Sequence, residues 1–218
     1  MTKKKIIFIG FLAGVILVSL IFVKNGDNKE RDYSNTDIVR PIKNIFRRIP
    51  SDYQDINEIL QTNTVRKKNI ASGLQGSFNW YASFSTGQEE WEWVWLMKET
   101  VDSIYEFNRE LSKKYDKYGK ISRGEVLVEL DDSLRDKFEK IHHMYKGWLK
   151  ALDGMEGIII EDGEVITDIE NLEDNYNTVK AFNDDFDNFG IRLEEETRKT
   201  LEYYGVDSME ELLLGNEN

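Results

Sequence analysis

DDSLRDKFEKIHHMYKGWLKALDG, at residues 131–154, has the most regular helical period in the chain. Its apolar side chains recur every three or four residues and so share one helical face: Leu134, Phe138, Ile141, Tyr145, Trp148, Leu149 and Leu152. Asp131 or Asp132 can cap the first turn, and Gly154 ends the pattern. The stretch therefore predicts an amphipathic helix whose apolar face needs other elements to cover it.

Further helical periods lie on both sides of this stretch. One covers residues 88–118 and stops at Gly119, another covers residues 170–204, and a short helix follows over residues 208–214. Near the N-terminus two shorter periods, at residues 42–49 and 51–61, are separated by Pro50. These periods predict a mainly α protein in which the helices form an antiparallel bundle.

Residues 62–87 contain three glycines among their aromatic residues and are predicted to be irregular. Trp91, Trp93 and Trp95 alternate with other residues directly afterwards, and a period of two also suits a strand that pairs back onto residues 77–84. Because the helical period continues for several turns beyond the tryptophans, we prefer the helix over this hairpin.

A small β-hairpin is predicted between the last two long helices. Residues 158–160 and 165–166 are β-branched and apolar, and Asp162-Gly163 between them is a typical two-residue hairpin turn.

Residues 6–23, IIFIGFLAGVILVSLIFV, carry no charge. A helix of this length reaches about 27 Å, close to the thickness of the bilayer's hydrocarbon core. A cleaved signal peptide is the alternative, but small residues typical of a cleavage site are missing after the apolar run. The predicted organisation is a cytoplasmic tail at residues 1–5, a transmembrane anchor embedded in lipid at residues 6–23, a tether at residues 24–35 and a helical bundle domain at residues 36–218.

The flanks of the apolar segment give conflicting indications of orientation. Lys3, Lys4 and Lys5 favour a cytoplasmic N-terminus, whereas a count of Lys and Arg over the next twenty residues favours the reverse. We prefer the cytoplasmic N-terminus, because a long folded domain crosses the membrane largely regardless of its charge. The expected location is the cell membrane, single-pass, with the domain on the extracytoplasmic side.

Gly10 and Gly14 have the spacing that allows two membrane helices to approach closely. A homodimer through this face is an open alternative, although glycine is common in such helices and the spacing also arises by chance.

The net charge of −12 is distributed unevenly. Residues 81–218 hold 16 Lys and Arg against 34 Asp and Glu, so this part of the chain repels nucleic acid, which is not an expected partner. The chain has no cysteine, which excludes disulfides and thiolate chemistry.

No motif predicts a catalytic residue, a metal site or a cofactor. His142 and His143 are adjacent on a helix and point about 100° apart, so they are poorly placed to share one metal ion. The acidic run at residues 184–187 lacks the ligand spacing of a calcium loop. Carboxylates are abundant, but no pair is singled out by its spacing, so an enzyme is the minority interpretation.

The aromatic stretch around residues 78–95 supplies the candidate binding residues Trp80, Tyr81 and Trp93. On a helix Trp93 falls opposite Trp91 and Trp95, and an outward tryptophan suits contact with a partner. Burial of these side chains in the core is the competing interpretation.

Our first hypothesis is an extracytoplasmic binding protein with a protein or envelope partner. The alternatives are a membrane-bound hydrolase that uses acidic residues and a cytosol-facing regulator with an inverted anchor.

Overall fold

The structure, a computed structural model, describes residues 36–70, 74–84, 92–165 and 179–215. The predicted tail, anchor and tether, at residues 1–5, 6–23 and 24–35, lie outside these ranges. Among the helices inside them, none combines the length and the apolar character needed to cross a bilayer.

Within the described ranges the chain forms six α-helices and two small antiparallel sheets, which confirms the predicted mainly helical bundle. The elements are α1 Thr36–Thr62, β1 Thr64–Arg66, α2 Leu74–Phe84, α3 Glu92–Tyr115, β2 Val126–Glu129, α4 Asp132–Asp153, β3 Ile160–Glu161, β4 Glu164–Val165, α5 Val179–Tyr204 and α6 Met209–Leu214, with a 3₁₀ turn at Lys67–Ile70.

Helix α4 is amphipathic, as the regular period of its sequence predicted. The Asp131 carboxylate accepts a hydrogen bond from the Leu134 backbone N–H at 2.7 Å and caps the first turn. The helix packs against α1 and α5, and its Phe138 and Trp148 are almost fully buried.

Helix α1 is continuous through Pro50, so the prediction of two short helices separated by this residue is wrong. A proline inside a helix costs about 3 kcal/mol because it lacks an N–H and crowds the preceding turn. Here Ile45, Ile49, Ile56 and Ile59, which lie before and after the proline, are all buried in the core. Each contributes about 2 kcal/mol on burial, which outweighs the cost of the proline.

The segment after α1 is more regular than the sequence suggested. Residues 74–84 form helix α2 rather than a loop, and α2 packs against both α1 and α3. The helix predicted over residues 88–118 is confirmed in its main part as α3. The alternative hairpin is contradicted, because residues 77–84 and 92–95 are helical.

Of the two small sheets, the sequence predicted one and missed the other. The β3–β4 hairpin is confirmed, and its turn residues Asp162 and Gly163 have φ values of 50° and 81°, as a tight hairpin turn requires. The Gln54 side chain donates to the Asp162 carbonyl at 3.0 Å and holds this turn against α1. The β1–β2 sheet was not predicted, and it ties the end of α1 to the segment that precedes α4.

Candidate functional site

Trp93 is buried, with 4% of its surface exposed, so of the two interpretations of its side chain the structure agrees with burial in the core and not with an outward-facing ring. Its indole lies against Gly190 of α5, where an added Cβ would come within 2.3 Å of the ring, and it meets the Phe186 ring edge-on at 5.9 Å between centroids. The absence of a side chain at Gly190 gives the indole its space. The opposite side of α3 carries Trp95, which is 43% exposed.

The other two candidate residues, Trp80 and Tyr81, belong to the last turns of α2, but their side chains lie outside what the structure describes. Their proposed role in binding therefore stays a prediction.

A groove of about 460 Å³ lies between α3 and α6. Its floor includes Leu201 and Met209, which are 5% and 1% exposed. Leu96 of α3 is partly exposed, and Leu214 at the end of α6 is 50% exposed. We call this site the α3–α6 groove. Its volume falls within the usual range for ligand pockets, about 300–1,000 Å³.

The groove exists because the chain reverses sharply at the end of α5. Gly205 has φ 68°, its N–H donates to the Glu202 carbonyl, and the Val206 N–H donates to the Leu201 carbonyl. This pattern ends a helix with a left-handed residue, for which glycine is favoured. Ser208 then caps α6 by accepting from the Glu211 N–H at 3.1 Å, and α6 packs back against α3.

Five of the residues that line the groove are acidic and none is basic: Glu99, Asp102, Glu106, Asp207 and Glu210. Asp102 is bonded to Lys98 and to the Gln75 side chain, and Glu106 pairs with Arg109. Among the described residues, Glu99, Asp207 and Glu210 have no basic partner within ion-pair distance. The groove thus combines an apolar floor with an acidic rim.

A second, much smaller cavity of about 10 Å³ lies inside the bundle. The Tyr145 hydroxyl donates to the Asp52 carboxylate at 3.1 Å at this site, and the buried Asn108 Oδ1 has no hydrogen-bond partner. The volume suits one water molecule and no substrate.

His142 and His143 point to different surroundings, as predicted for adjacent helical residues. The His142 ring stacks on Tyr53 at 4.8 Å, and burial, followed by the nearby Lys146 charge, lowers the pKa of His142 below its usual value. The His143 Nδ1 lies 3.3 Å from the Tyr204 hydroxyl. No group of three or more metal-binding side chains occurs in the part of the chain that the structure covers.

No protein-family model matches the chain, and neither a curated protein nor a solved structure shows significant similarity to it.

Proposed function

We propose that this chain is a membrane-anchored, extracytoplasmic binding protein that engages a protein partner through the α3–α6 groove. The observation that carries the proposal is the groove itself, a concave surface with buried leucine and methionine below and the half-exposed Leu214 at its edge. A surface leucine beside an apolar concavity loses contact with water when a partner covers it, which favours association.

The membrane placement is supported by the sequence. The uncharged residues 6–23 have the length of a spanning helix, and residues 24–35 separate them from α1 by a short polar segment. This arrangement keeps the bundle close to the membrane surface. The three lysines at the N-terminus favour an extracytoplasmic bundle.

A hydrolase is less well supported than a binding protein. Acid–base catalysis by two carboxylates needs them to face a substrate-sized cavity with different surroundings. Among the described residues, Asp52 and the Asp116 side chain are buried carboxylates. The cavity beside Asp52 holds no more than one water, and the Asp116 carboxylate is engaged by Lys67 and by two backbone N–H groups. The groove carboxylates instead lie at an open rim, where they suit recognition.

Site-specific photo-crosslinking tests the groove as a binding surface. A photoreactive residue at Ser103, which lines the groove, should give a covalent adduct with one polypeptide that mass spectrometry identifies in repeated experiments. The same residue at Glu164, on the β3–β4 hairpin, serves as the control and should not give that adduct.

The adduct should also depend on the apolar edge of the groove. Leu214→Asp should reduce it several-fold, whereas Ile159→Asp, at an equally exposed isoleucine outside the groove, should leave it unchanged. Equal adducts from Ser103 and Glu164, or an adduct insensitive to Leu214→Asp, would contradict the proposal.

A further inference from the structure

We infer that the α3–α6 groove binds a basic amphipathic helix of the partner protein. This inference rests on the proposed function and specifies the chemistry of the partner. An amphipathic helix that enters a groove places its apolar side chains on the floor and its polar side chains at the rim. The groove has both of the surfaces that such a helix needs.

The first argument is that part of the negative charge at the rim is not neutralised by a base of the same helix. On other helix surfaces several acidic residues pair with bases one helical turn away, as in Asp136–Lys140 and Glu194–Arg198, each at 2.8 Å. At the groove, the positions one turn after Glu99 hold Asp102 and Ser103, so no base neutralises it from its own helix. The rim therefore presents negative charge that a partner can neutralise.

The second argument is that the rim charges come from both walls. Glu99 belongs to α3, whereas Asp207 and Glu210 belong to the segment around α6. A basic helix between the walls can contact carboxylates on both sides, while an acidic peptide, an anionic lipid headgroup or a nucleic acid is repelled by both. Complementary charge of this kind also accelerates association at low salt.

The third argument concerns the apolar part of the partner. Leu96 and Leu214 are the partly exposed apolar residues of the groove, above the buried Leu201 and Met209. A purely basic ligand leaves them in water. A helix with leucine-like side chains on one face covers them and gains the corresponding burial energy.

A second copy of this chain fits less well as the occupant. Its basic cluster at Arg66, Lys67 and Lys68 is already engaged, because Lys67 pairs with Asp116 and Lys68 pairs with Glu58. Separating these pairs would offset the gain from contacting the groove.

The test uses the full chain in nanodiscs of zwitterionic lipid and measures binding by fluorescence anisotropy. The probe is a labelled synthetic helix of about 18 residues, long enough to be helical, with leucine on one face and lysine on the other. A peptide of the same composition with a scrambled pattern measures the binding that positive charge alone produces without an apolar face. A helix of leucine and glutamate measures the effect of reversing the charge.

Two triple variants with the same net charge separate the groove from the overall acidity of the chain. Glu99→Gln, Asp207→Asn and Glu210→Gln together remove the unpaired rim charges. The control combines Glu129→Gln, Glu161→Gln and Glu164→Gln, at exposed positions outside the groove. We expect the rim variant to weaken binding of the basic amphipathic helix about tenfold and the control variant to change it less than about twofold.

Equal weakening by the two triple variants would overturn the inference, because it would show a general effect of acidity. Equal binding of the patterned and scrambled peptides would also overturn it, and so would a concentration-dependent self-association lost in the rim variant. The proposed function has a separate test: a missing Ser103 adduct would contradict the groove as a binding surface. An adduct that persists in the rim variant would leave the groove as a binding surface and contradict only the inference that the partner is basic.

Discussion

The contact between Trp93 and Gly190 shows how a single residue sets the orientation of α3. Three tryptophans at alternating positions are compatible with more than one rotation of the helix, and the sequence period alone favoured the wrong one. The deciding feature is the missing side chain of Gly190, which is far away in the chain and admits the indole. Local patterns do not encode such a distant contact, so the direction of Trp93 could not be predicted from them.

Gly190→Ala should destabilise the fold. The added methyl group would overlap the Trp93 ring, and overpacking of this kind costs about 1–3 kcal/mol. Chemical denaturation followed by tryptophan fluorescence measures the change. Gly76→Ala is the matched control, because Gly76 also lies in a helix but an added Cβ there would meet nothing within 4 Å. An equally stable Gly190→Ala protein would contradict the packing described for Trp93.

His142 should make the fold sensitive to acid. Burial lowers its pKa in the folded protein, so the unfolded chain binds a proton more readily. Stability is therefore expected to be insensitive to this group above the usual histidine pKa of about 6.5 and to fall as the pH drops from there towards the lowered pKa. Melting temperatures measured across this window should fall less in His142→Asn than in the unchanged protein. Parallel curves for the two proteins would show that this group does not cause the decline.

At the scale of elements, α4 and α5 are joined by a buried hydrogen-bond chain. The Trp148 indole N–H donates to the Thr197 hydroxyl at 2.9 Å, and that hydroxyl donates to the Leu193 carbonyl at 2.7 Å. Both side chains are fully buried. The two helices therefore share a polar contact whose loss leaves a donor without a partner.

Thr197→Val removes the acceptor while keeping the shape of the side chain. The unsatisfied Trp148 N–H should cost about 1–3 kcal/mol, measurable as a lower denaturation midpoint. Thr200→Val is the control, since the Thr200 hydroxyl donates to the Glu196 carbonyl of its own helix at 3.0 Å. Similar losses in the two variants would mean that the contact between α4 and α5 adds no stability.

Elements with a long apolar period were predictable, and elements fixed by distant contacts were not. The α4 period and the Asp162-Gly163 turn are local features that the structure confirms, and of the two predicted caps, Asp131 and Asp132, it is Asp131 that caps the helix. Pro50 was a misleading local feature, because burial on both sides of it maintains α1. The strands of the β1–β2 sheet are too short to show a period, and their pairing joins segments from different parts of the chain.

For the whole molecule, the sequence indicated the sign of the charge but not its arrangement. The acidic excess of residues 81–218 was visible from composition. The groove arises only when the reversal at Gly205 brings Asp207 and Glu210 beside Glu99, so sequence reasoning missed all three. The reversal itself is indicated by two local features, Gly205 at the end of α5 and Ser208 at the start of α6, but neither residue indicates which helix α6 will contact.

The location of the bundle decides which partners can reach it, and residues 6–23 with the flanking lysines predict that it lies outside the cytoplasm. The most direct test is protease digestion of a C-terminal tag on the full chain, in intact cells and in lysed cells. A cytoplasmic protein of known protease sensitivity serves as the internal control for cell integrity. We expect the tag to be digested without lysis while the control protein stays intact. A tag protected until lysis would contradict the extracytoplasmic placement and would favour a cytosol-facing regulator.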